Sequence, residues 1–165
     1  MPASDTQGPT PLGPNGEIIR FARGRVAVGV PQNWTGGRPQ ALAQLRNRYE
    51  QVGEPLAAAI LVKGLGGRPD EATREDIRRT FDEMTPMLVC QSMTILDSGF
   101  LASGLISIVS QILRLTRKEG RNYRIHSNLE STAAWIHEQL DDPNASVEEI
   151  LETLRWAASH PLGPI

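Results

Sequence analysis

Two apolar runs frame the chain. Leu56 to Val62 is apolar at every position, and the stretch MLVCQSMTI, residues 87–95, is nearly so. Runs of this length, the first set between a proline and a glycine-rich loop, predict central strands covered on both faces. Upstream, Val26, Val28 and Val30 alternate with smaller residues at the strand period of two. With a turn near Arg23-Gly24, this predicts two short strands over 17–21 and 25–30.

Elsewhere the apolar spacing is helical. Ala41, Leu42, Leu45 and Tyr49 predict a helix over 39–52, with Pro39 in its first turn. Ile77, Phe81 and Met84 form the stripe of a second helix, capped by Thr73 with Asp76 three residues on, and stopped at Thr85-Pro86. A long helix over 100–118 follows the second apolar run, and Gly120 ends it. NYRIHS, residues 122–127, reads as a short strand. Ser127-x-x-Glu130 opens a helix carrying Ala133, Ala134, Ile136 and Leu140. Ser146-x-x-Glu149 opens a last one with Ile150, Leu151, Leu154 and Trp156. The order β-β-α-β-α-β-α-β-α-α predicts an α/β fold whose sheet is mixed but mostly parallel.

The first sixteen residues, MPASDTQGPTPLGPNG, show no apolar periodicity and are expected to form a flexible tail. Residues 17–142 then make the α/β domain, and 143–165 a C-terminal helix and tail packed on the domain or on a partner. Charge is unevenly spread. Residues 1–128 carry sixteen of the seventeen Lys and Arg against twelve acids, whereas 129–165 carry Arg155 against seven acids. Such polarity suits head-to-tail contact or docking on a charged partner.

Little here points to catalysis. Cys90 is the only cysteine and lies in a strand, so a reduced, inert thiol and a cytoplasmic setting are expected. His126, His137 and His160 have no metal-ligand spacing, and no G-x-S-x-G elbow surrounds Ser98. A Ser98–His126 pair at the strand ends is the nearest approach to a nucleophile and base. The GLGGR loop, residues 64–68, lacks the Lys-Ser/Thr of a phosphate-binding loop and reads as surface. Arg114, Arg117, Lys118, Arg121 and Arg124 cluster around Tyr123, but a pI near 5.9 turns that patch toward an acidic protein surface rather than nucleic acid. No cofactor, metal or membrane span is expected.

The segment TILDSGFLASGLISIVSQILRL, residues 94–115, carries the most information. A strand ends in Asp97-Ser98-Gly99 and a long apolar helix begins at once. This arrangement, followed by a short strand and an amphipathic helix, resembles the STAS domain of bacterial anti-sigma-factor antagonists, and more broadly the STAS/Sec14-like bacterial proteins. The resemblance spans roughly residues 17 to 140 and rests mainly on element order. In that family the Asp-Ser turn has one more hydroxyl residue and carries a phosphorylated serine or threonine. It therefore implies Ser98 as a phosphosite and a signalling role.

On the helix itself, Leu101, Leu105, Ile108, Ile112 and Leu115 form one stripe. Ala102, Ile106, Val109 and Leu113 form another beside it. Together they exceed the roughly 100° arc that one sheet covers. The excess is expected to meet the C-terminal helix or another protein. The leading expectation is thus a non-enzymatic regulatory or scaffold protein. Its contact surface would run through Phe100, Leu101, Leu105, Ile106, Ile108, Val109, Ile112 and Leu113, with homodimerisation as one form. The alternative is a Sec14-like protein that encloses a small apolar ligand or lipid.

Overall fold

The computed structural model describes residues 10–11, 19–31, 33–34, 38–114 and 122–159. Its centre is the strand β4, Leu56–Val62, buried at every position. The period-two geometry splits those side chains between two faces. Ala57, Ala59 and Leu61 look one way, while Leu56, Ala58, Ile60 and Val62 look the other.

Six strands form one sheet in the order of the chain. They are β1 (Thr10–Pro11), β2 (Ile19–Arg23), β3 (Val26–Gly29), β4, β5 (Leu88–Ile95) and β6 (Tyr123–His126). The first two pairings are antiparallel, and β3 to β6 run parallel. The β2–β3 hairpin turns through Gly24-Arg25, with Gly24 at φ +55°, the positive φ that a two-residue turn requires. Thr10 and Pro11, expected within the tail, instead pair with Ala22 and Phe21 at the sheet edge, where a proline is tolerated. The rest of that segment lies outside the described residues.

Three crossover helices join the parallel strands: α1 (Arg38–Val52), α2 (Glu71–Met84) and α3 (Gly99–Arg114). Each crossover steps to the next strand in the same direction, so a constant hand puts all three helices on one face. Helices α4 (Leu129–Leu140) and α5 (Val147–Ser159) cover the other. The C-terminal helix therefore packs on its own domain, beside α4 and β3, and not over α3. Ion pairs from Arg23 to Glu149 (3.6 Å) and Glu152 (3.1 Å) fasten α5 to β2.

The helix caps partly depart from expectation. Asp70, not Thr73, caps α2; its carboxylate accepts the Thr73 N–H at 2.7 Å, and hydrogen bonding from the Thr73 side chain, then from that N–H, holds its pKa below the usual value. Asn128, not Ser127, caps α4, accepting the Ser131 N–H at 2.8 Å. The Ser146–Glu149 box forms reciprocally, with backbone-to-side-chain bonds of 3.4 and 3.1 Å. On α4, Ala134 is exposed, and Thr132 and Trp135 take the buried positions.

Candidate functional site

The Asp97-Ser98-Gly99 turn lies at the carboxyl end of β5. Both Asp97 oxygens accept the Gly64 N–H, at 3.1 and 3.0 Å, so the carboxylate ties the glycine loop after β4 to the base of α3. Gly99 opens the helix at φ +67°, a conformation costly for any residue with a Cβ. Ser98 is exposed beside it.

The next two residues are the most exposed large apolar side chains described: Phe100 at 93% and Leu101 at 69%. Ile106 follows at 40%. Most of the rest of the expected surface is already covered. Leu105, Ile108, Val109 and Ile112 are buried by the chain itself, Leu105 against Ile60, Val62, Leu65 and Ile95, which removes them from any interface. The side chains of Leu113 and Arg114, and all of Leu115, Arg117, Lys118 and Arg121, lie outside the described residues. Of the basic cluster, Arg124 is described, exposed on β6.

Ser98 and His126, the nearest approach to a nucleophile and base, form no hydrogen bond to each other. His126 Nε2 is buried without a hydrogen-bond partner, and its ring lies 5.5 Å from that of Trp135. Desolvation, then the Arg124 charge, pushes its pKa down. Cys90 is buried in β5, and desolvation raises its thiol to about 12, which keeps the nucleophilic thiolate out of reach. Asp141 and Asp142 serve the backbone: Asp141 ends α4 in a left-handed conformation, and Asp142 accepts the Asn144 N–H at 2.9 Å. Among the described residues no group of three or more His, Cys, Asp or Glu could hold a metal, and no helix is long and apolar enough to cross a membrane.

A second feature, whose lining the sequence did not single out, is a cavity of about 90 Å³ between the sheet and the crossover helices. It sits where two apolar clusters on that face fail to merge. Ala41 and Met84 belong to one cluster, Ile60, Val62 and Leu65 to the other, and all five line the gap. Of the polar side chains on its wall, which are Asn33, Arg38, Thr80 and Gln91, two differ in standing. Arg38, 9% exposed, bonds both nitrogens of its fork to Asp76 Oδ2 at 2.9 and 2.6 Å, and its third donor to the Trp34 carbonyl at 2.5 Å. Gln91, by contrast, has its Nε2 buried with no hydrogen-bond partner.

These observations define an α/β domain with a four-stranded parallel core, an apolar tip on α3 and a partly open cavity beneath the crossover helices. No family model matches the chain, and no curated protein or solved structure matches it either.

Proposed function

We propose that this chain is a non-enzymatic binding module that docks a protein partner through the N-terminal tip of α3. The observation that carries the reading is Phe100, 93% exposed on a turn that Asp97 locks to a neighbouring loop. Burying a Phe or Leu side chain contributes about 1.5–3 kcal/mol, so leaving two adjacent ones in water invites a partner with an apolar groove. The locked turn means that little backbone order remains to be lost on binding. We place the module in the cytoplasm, where a buried thiol such as Cys90 stays reduced.

A regulatory role follows from Ser98. A phosphate there would lie against the free N–H groups of α3, which favour negative charge, while setting that charge beside Phe100. Phosphorylation is therefore expected to weaken docking and not folding.

The test is photo-crosslinking from position 101 in the native cell, with the captured protein identified by mass spectrometry and then purified for a direct titration. Phe100→Glu is expected to weaken that titration at least tenfold and leave the melting temperature unchanged, because the side chain touches almost nothing in the free chain. Unaltered affinity of Phe100→Glu for the purified partner would remove the tip from the interface. A concentration-dependent mass by light scattering that Phe100→Glu abolishes would identify the partner as a second copy.

A further inference from the structure

We propose that the cavity under the crossover helices is a binding site for a small, neutral molecule with an apolar body and one hydrogen-bond acceptor, such as a ketone or ester carbonyl. The inference is independent of the α3 tip and rests on the chemistry of the cavity wall.

The wall is apolar over most of its extent, with Ile60, Val62, Phe81, Met84 and Met93 among its residues. Met84 and Met93 are unbranched and adaptable, so the space adjusts to a guest more readily than a wall of Val and Ile would. Into this lining comes the Gln91 amide, whose Nε2 is buried and unpaired. A native chain rarely leaves such a donor without a partner. Water fills the role poorly, since a held water needs two to four polar partners and little else here is available. Thr80 donates its hydroxyl to the Asp76 carbonyl at 2.9 Å, and the Arg38 donors are engaged by Asp76 and Trp34. A carbonyl oxygen needs only one donor.

The charge of the guest follows from Arg38, the one cation among the described residues of the wall. Its fork is already neutralised by Asp76, 2.6 Å away. An anionic guest would have to break that pair or enter without a counter-charge, and either is unfavourable in an apolar space. Size is bounded too. A volume of about 90 Å³ has room for several waters at roughly 10–15 Å³ each, so the guest is compact, on the order of one ring.

The experiment is a heteronuclear NMR titration of the full chain with cyclohexanone, cyclohexane and cyclohexanecarboxylate. Cyclohexanone and cyclohexane are expected to give saturable shifts at the Trp34 indole N–H and the Gln91 and Met93 amides, and the carboxylate none. In Gln91→Leu, cyclohexanone is expected to bind about three- to tenfold more weakly, as loss of one hydrogen bond implies, while cyclohexane binding is undiminished. No saturable shift with either neutral probe would overturn the site. Carboxylate binding as tight as that of the ketone would overturn its neutrality, and equal weakening of both neutral probes would overturn the role of Gln91. Should Gln91→Leu not fold, the wild-type titrations still decide the first two points.

Discussion

The two faces of the sheet are covered by the same chain and come out unlike. On one, α4 and α5 form an antiparallel pair joined by a short turn, and their side chains merge with Val28, Ala59, Leu61 and Cys90 into a single cluster. On the other, three helices share the space and the apolar side chains divide into two clusters with a cavity between them. Geometry explains the contrast. Neighbouring strands stand about 4.8 Å apart, whereas a helix with its side chains is about 10 Å wide. Three helices set over successive strand pairs must therefore splay. Helix α2 buries only Met84 fully, leaving Ile77 and Phe81 half-buried, and α3 overhangs so that Phe100, Leu101 and Ile106 meet water. A pair of helices fits where three do not, and both candidate sites lie on the crowded side.

Substitutions sharpen this contrast. The largest effect is expected from Leu154→Ala, at a fully buried position under α5. It should cost about 2–5 kcal/mol in denaturant unfolding, against about 1–2 kcal/mol for Met93→Ala, which enlarges an existing space. Equal losses would mean that the faces are equally packed. Additions should behave oppositely. Ala59→Leu, in the dense cluster, is expected to cost about 1–3 kcal/mol, while Ala41→Leu, beside the cavity, should lie within about 0.5 kcal/mol of the parent; a large penalty for the second would close the cavity as a real space.

A polar pair tests the dense face more finely. Thr94 and Thr132 hydroxyls meet at 2.6 Å, and Thr132 donates onward to the Asn128 carbonyl at 2.8 Å, so Thr94 supplies the proton between them. Thr132→Val strands the buried Thr94 hydroxyl and should cost about 1–3 kcal/mol. Thr94→Val leaves Thr132 bonded and should cost less; the reverse order of thermal stabilities would refute that proton placement.

The smallest effect concerns pH. Because the folded chain lowers the His126 pKa below its ordinary 6.5, the unfolded chain takes up that proton first. The associated stability is complete above about pH 6.5 and declines as pH falls below it. His126→Phe keeps the ring beside Trp135 and should flatten that slope. An unchanged slope in urea melts from pH 7.5 to 5 would assign it to other groups.

The sheet was largely legible in the sequence because each central strand is a local run: Leu56–Val62 was read to the residue, and the Ser146–Glu149 box likewise. The missed caps show the limit of local pattern. Asn128 stands next to Ser127, and both can accept from an N–H three residues on; the choice depends on which residue takes the extended conformation, here Asn128 at φ −150°. Burial on α3 was half legible. The width of its apolar arc showed, but not that the chain itself would cover Ile108 and Val109 and leave Phe100 bare, since that depends on how three distant helices divide one surface. The cavity left no trace at all, being a gap between residues far apart in the chain.

Asp97 links two segments that the chain separates by more than thirty residues, because its carboxylate holds the Gly64 amide. The consequence is mechanical. Asp97→Asn, by weakening that clasp, should let the Gly64 loop and the turn that carries Phe100 move independently while the sheet beneath stays still.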